Sequence, residues 1–169
     1  MRRRIIRRRS GERRGISLPG AQTPKIKQFS TIPKNRIPNT PFFMGTLYLV
    51  HCTNKKSAEK ILRQKYIKSD TENLAWGGGG FWAGEKPLWE YGDHGVVVKV
   101  TGKIVNVEKL PKHQKEWLYE RIEWGDTDSI KRWLDRHGVN VVYQPDDWIY
   151  VRQSADYEPI GVIKRKPRK

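Results

Sequence analysis

The sequence predicts an α+β domain carried between two cationic extensions. Three observations predict it. Runs of β-branched and aromatic residues of strand length lie toward both ends of the central segment, helical patterns are grouped between them, and the excess charge is confined to the termini. Strands and helices do not alternate regularly, which argues against a doubly wound parallel sheet.

The 169 residues hold 34 Lys+Arg against 18 Asp+Glu, a net charge of +16. Residues 1–45 carry 12 of the bases and a single acid, Glu12, while residues 164–169 carry five bases and no acid. Residues 46–163 retain 17 basic and 17 acidic side chains. A chain that is basic throughout is therefore excluded. The sequence divides into a basic Arg/Pro-rich extension over 1–45, a neutral domain over 46–163 and a basic tail over 164–169. All seven Trp and all seven Tyr fall in the neutral segment, enough aromatic area for one self-sufficient core.

The extension comes first. Pro19, Pro24, Pro33, Pro38 and Pro41 remove backbone donors and bias their neighbours to extended conformations, so neither helix nor strand is expected before Phe43. Arg2, Arg3, Arg4, Arg7, Arg8, Arg9, Arg13 and Arg14 crowd into the first 14 residues. Together with Lys164, Arg165, Lys166, Arg168 and Lys169 they are candidate contacts to the phosphate backbone of RNA or DNA, with salt-sensitive, sequence-independent binding through counterion release. Such a cluster also suits a nuclear or organellar address, or a solvated tail.

In the neutral domain, residues 46–50 have strand composition and are followed by His51, Cys52 and Thr53. Thr53 or Asn54 caps a helix over about 55–64, in which Ala58, Ile61 and Leu62 share a face. A Gly-rich stretch over 76–84 precedes strands at 95–100 and 104–107. Pro111 opens a helix to about residue 124 with Trp117, Leu118 and Ile122 inward. Asp126 or Thr127 caps a third, where Ile130, Trp133 and Leu134 form the apolar stripe and Gly138 ends it. Residues 139–143, 148–151 and 160–163 supply the closing strands.

Several function classes are disfavoured. One cysteine, Cys52, makes neither an intramolecular disulfide nor a multi-cysteine zinc site, and points to a reducing compartment. No apolar run exceeds five residues, against the roughly 20 that span a bilayer, and no hydrophobic signal core stands at the N-terminus. A soluble intracellular protein is expected, whether nuclear, organellar or virion-associated. The glycines at 77–80 lack both the Gly-Lys-[Ser/Thr] of a phosphate loop and a directly preceding strand. His51, His94, His113 and His137 show no i, i+4 pairing, so no metal is expected, and the last three sit beside charged residues as surface histidines do. The aromatics are not interleaved with the basic residues, unlike an RNA-recognition signature. His51 stands apart, at a strand end before a helix.

Leu49-Val50-His51-Cys52-Thr53, followed by Ala58-Glu59-Lys60-Ile61-Leu62, resembles the first motif of the ADP-ribosyltransferase superfamily, which poly(ADP-ribose) polymerases and diphtheria-type toxins share. Gly80-Phe81-Trp82-Ala83 with Tyr91-Gly92 is similar to its second motif, and Asp147-Trp148-Ile149-Tyr150-Val151 to its third, which carries the catalytic glutamate. The resemblance implies a split antiparallel β-sheet core with three short helices and NAD as substrate. In it His51 hydrogen-bonds the adenine-side ribose, the Cys52 backbone pairs with the nicotinamide amide near the Thr53 hydroxyl, and Tyr91 with either Trp82 or Phe81 sandwiches the nicotinamide ring. Asp147 takes the glutamate position, where a carboxylate steadies the cationic centre formed as nicotinamide leaves. Three positions depart from the pattern: Cys52 replaces glycine, Trp or Phe replaces the tyrosine of the second motif, and Asp147 is one methylene shorter than glutamate. A carboxylate misplaced by about 1 Å can cost on the order of 100-fold in rate. The implied activity is mono-ADP-ribosyl transfer to a nucleic acid or a nucleic-acid-associated protein. The alternative is a transferase-type fold without turnover, serving as a structural part of a nucleoprotein assembly such as a virion or ribosome.

Overall fold

The longest strand grows from the longest β-branched run. In the computed structural model, which describes residues 27–68 and 79–167, β4 spans His94–Asn106 and its valines at 96, 97, 98 and 100 are fully buried. The two strands expected at 95–100 and 104–107 are thus one. Gly102, which reads as a break, is instead a close approach: a Cβ there would lie 2.7 Å from Asn140 Oδ1, and that same oxygen accepts from the Lys103 amide at 2.8 Å.

Around β4 the other strands assemble. β2 (Phe42–Thr53) runs antiparallel along its whole length, from Phe42 opposite Val105 to Thr53 opposite His94. The other edge of β4 is shared. β7 (Asp156–Lys164) takes residues 94–101 antiparallel, with a register shift at Val97/Val98 opposite Pro159, where the missing N–H is tolerated. β5 (Val141–Tyr143) takes Ile104–Asn106 in parallel. β6 (Ile149–Arg152) adds to β5, and β3 (Gly80–Ala83) adds to β6. Just past β3, Gly84 exchanges backbone hydrogen bonds with Val50 of β2 at 2.7 and 3.0 Å. The sheet therefore splits along β4, and one branch curls back toward β2.

Two expectations are corrected. The sheet is mixed, not wholly antiparallel, because a helical crossover between β4 and β5 returns the chain in the same direction. Strands also occur before residue 43: β1 (Lys27–Gln28) pairs in parallel with β7, and β2 already begins at Phe42. The prolines at 33, 38 and 41 lie between these two strands and interrupt neither. Pro41, at the lip of β2, needs only its carbonyl, which accepts from the Asn106 amide at 2.8 Å.

The helices follow their apolar spacing. α1 (Lys55–Gln64) buries Ala58, Ile61 and Leu62 beneath Leu47, Leu49, Val96 and Val98. α2 (Lys112–Trp124) and α3 (Thr127–His137) bury Leu118, Ile130, Trp133 and Leu134 in a second cluster with Val105, Val142 and Tyr150. Asn54 and Asp126 are the caps, accepting from the Ser57 and Ser129 amides at 2.7 and 3.2 Å. His137, expected at the surface, is half-buried and stacks on Phe42 at 5.2 Å. A third cluster, Val50, Val97 and Ile163, is covered by Phe29, Ile32 and Trp89. Among the described residues no helix is long and apolar enough to cross a membrane.

Candidate functional site

Alternation along β2 puts Leu49 and His51 on one face and Val50 and Cys52 on the other. Where β2 nears its end, the curled branch brings β3 and the residue before β6 alongside it. The result is a cleft of about 400 Å³. His51 and Cys52 enter from β2, Phe81 and Trp82 from β3, Leu88 and Tyr91 from the following loop, Trp148 from the approach to β6, and Lys68 from the segment after α1. Five of the residues nominated from sequence, His51, Cys52, Phe81, Trp82 and Tyr91, thus share one cleft.

The His51 ring is half-buried, with Nδ1 2.8 Å from the Trp82 carbonyl oxygen. A carbonyl only accepts, so Nδ1 carries the hydrogen and Nε2 is left as an acceptor. Burial lowers the His51 pKa below 6.5, partly opposed by the Trp82 bond, which keeps the ring neutral at pH 7. Burial likewise raises the Cys52 thiol pKa, partly opposed by the Leu88 backbone, which favours the protonated thiol.

The aromatic residues divide by face. Phe81, 1% exposed, stands edge-on between His51 at 5.8 Å and Tyr157 at 5.0 Å. Trp82 is half-buried and meets Trp148 at 6.1 Å, and Trp148 meets Tyr91 at 5.0 Å. Tyr91 remains 55% exposed. A ring wall of Trp82, Trp148 and Tyr91 results. Gly92 fixes its outer end: with φ at 149°, its Cβ would lie 2.1 Å from the Thr53 carbonyl oxygen, an approach only glycine allows.

Two nominated residues do not line the cleft. Thr53 is the last residue of β2, opposite His94. Asp147 is exposed on the turn after Gln144, its Oδ1 accepting from the Trp148 amide at 2.7 Å. It faces the adjoining groove with Glu85 and Asp146, and Leu88 and Trp148 form the wall common to both. In that groove the Glu85 carboxylate accepts from the Tyr143 hydroxyl at 2.6 Å and from Asn35 Nδ2 at 3.1 Å, and burial together with this bond raises the Tyr143 pKa.

Of the lining residues that sequence reasoning did not nominate, Trp148 and Lys68 bear most on the chemistry. Trp148 was signalled only as the neighbour of Asp147 in the third motif. Lys68 carried no motif signal. It arrives because Lys65, in the left-handed conformation at φ 58°, turns the chain back after α1. Among the described lining residues Lys68 is the one lysine or arginine.

Of the nominated nucleic-acid contacts, Lys164 ends β7, and Arg165 and Lys166 follow it. The arginines at 2, 3, 4, 7, 8, 9, 13 and 14, with Arg168 and Lys169, lie outside the described residues. Among the described residues no group of three or more His, Cys, Asp or Glu is placed to hold a metal ion. Fold and cleft define an α+β protein with an aromatic-walled pocket between the end of β2 and β3. No protein-family model, curated protein or solved structure matches the chain.

Proposed function

We propose that the chain is an ADP-ribosyltransferase-like protein that binds NAD in this cleft and transfers ADP-ribose to a nucleic acid or a nucleic-acid-associated protein. The observation that carries the reading is convergence: residues of the first two resembling motifs, from His51 to Tyr91, line one pocket, and Trp148 of the third joins them. The split of the sheet along β4 supports the same fold reading.

The donor set suits the ligand. Ring faces at Trp82, Trp148 and Tyr91 offer stacking for a flat heterocycle, His51 Nε2 accepts from a ribose hydroxyl, and Lys68 supplies a cation for a pyrophosphate. Trp82 is the better stacking partner for Tyr91, since Phe81 is already enclosed by His51 and Tyr157. NAD supplies the labile bond to nicotinamide. The protein's part is to hold the ring, fix the ribose and set negative charge nearby, for which Asp147 would turn inward past Trp148.

The test is thermal unfolding with and without 1 mM NAD. A ligand bound only by the folded state raises the melting temperature, by several degrees when its concentration is about 100 times Kd. No shift at that concentration overturns the reading. A second reading, the same fold kept as a structural part without turnover, is favoured by the exposed turn that carries Asp147. It predicts a thermal shift or none, but no ADP-ribose on any acceptor, and Asp147→Ala without effect. The enzyme reading predicts that Asp147→Ala abolishes transfer and spares the shift.

A further inference from the structure

In sequence the aromatic and basic residues stand apart. The fold brings them together on the face opposite α1. There a groove of about 550 Å³ runs between the start of the described chain and the end of β7, lined by Phe29, Trp89, Lys164, Arg165 and Lys166. Phe29 and Trp89 are half-buried, packed against Val50, Val97 and Ile163, so their rings are held in place. Parallel pairing of β1 with β7 sets Lys27 opposite Gly161 at the same edge, and its ammonium lies 5.0 Å from the Phe29 ring centre. Among the described lining residues three are cationic and none is acidic. At the far rim Arg165 pairs with the exposed Asp93 at 3.6 Å, while Lys164 and Lys166 are exposed and form no ion pair among the described residues.

We propose that this groove docks a single strand of nucleic acid, with the cations on its phosphates and Trp89 and Phe29 against its bases. Cations in line beside anchored rings are the arrangement that tracks a backbone and stacks unpaired bases. A duplex would satisfy the cations but keeps its base faces within the stack, and an anionic lipid surface would leave the recessed rings unused. The loop over residues 87–91 is the partition between groove and cleft: Pro87 and Trp89 line the first, Leu88 and Tyr91 the second. A strand in the groove therefore passes close to the cleft. The inference deepens the nucleic-acid half of the function proposed above and stands independently of NAD.

The experiment is fluorescence anisotropy on the full chain, without NAD, using oligothymidylate or oligouridylate of about 12 nucleotides and a duplex of equal length. Trp89→Ala should weaken single-strand binding by about 10-fold and change duplex binding less than about twofold, and Trp89→Phe should restore most of the loss. Lys164→Glu with Lys166→Glu, both at exposed positions, should weaken single-strand binding by about 10-fold or more while leaving the melting temperature close to the parent's. Equal losses for single strand and duplex on Trp89→Ala would overturn the proposal. So would unchanged binding in the double lysine variant, or anionic phospholipid vesicles that depend on these residues while the oligonucleotides do not. A failed thermal shift with NAD speaks to the cleft, and a failed anisotropy series to the groove.

Discussion

His51 owes its acceptor nitrogen to the Trp82 carbonyl, which fixes the tautomer, and its neutrality to burial. Both have a measurable consequence. The unfolded chain titrates near 6.5 and the folded chain below it, so the unfolded state takes up the extra proton first as pH falls. The stability tied to a neutral His51 is complete above 6.5 and is lost as pH drops through that value toward the folded one. Between pH 7 and 5 the melting temperature of the parent should therefore fall more steeply than that of His51→Gln; parallel profiles would dissociate His51 from the effect. The position of His51 was legible in sequence because an apolar strand ran straight into it. The hydrogen bond that tunes it was not, since its partner lies 31 residues away. Trp148 and Lys68 were invisible as site residues for the same reason, as each reaches the cleft through a turn and not through spacing.

Elements differ in how openly their sequence announces them. α1 and α3 are legible because each lays one stripe on the sheet, and three residues at helical spacing identify the stripe. β4 reads as two strands in sequence because a glycine inside a strand has no local signature that tells a break from a close approach. Gly80 shows the second case at the site itself. A Cβ there would lie 2.3 Å from the Val151 carbonyl oxygen and 2.8 Å from the Tyr150 ring, both across the β3–β6 pairing. β3 carries Phe81 and Trp82 and is only four residues long, so it has little pairing to spare. Gly80→Ala should cost about 1–3 kcal/mol in urea unfolding, with loss of any NAD-dependent thermal shift. A stability within about 0.5 kcal/mol of the parent would show that β3 gives way without strain.

At the scale of the whole molecule, charge and chemistry occupy different parts of the chain. Eight arginines in the first 14 residues stand against a neutral domain. If they contact phosphate, affinity for any nucleic acid falls with salt, each contact adding about 0.9 to the log–log slope on duplex and about 0.7 on single strands. Replacing the eight arginines by serine should reduce that slope by at least about three in a salt titration and leave the melting temperature unchanged; an unaltered slope would remove the extension from binding. The sequence by itself determined the α+β class, the helix stripes, the neutral centre and the segregation of charge, since all of these rest on composition or on spacings of a few residues. Only the tertiary structure decided that the sheet is mixed and curled, that His51, Trp82, Tyr91 and Trp148 share one cleft while Asp147 stands on the turn beside it, and that Trp89 lies against the basic end of β7. The physical reason is distance along the chain. Those arrangements are set by strand pairings between segments tens of residues apart, and local spacing carries no information about which edge a strand will find.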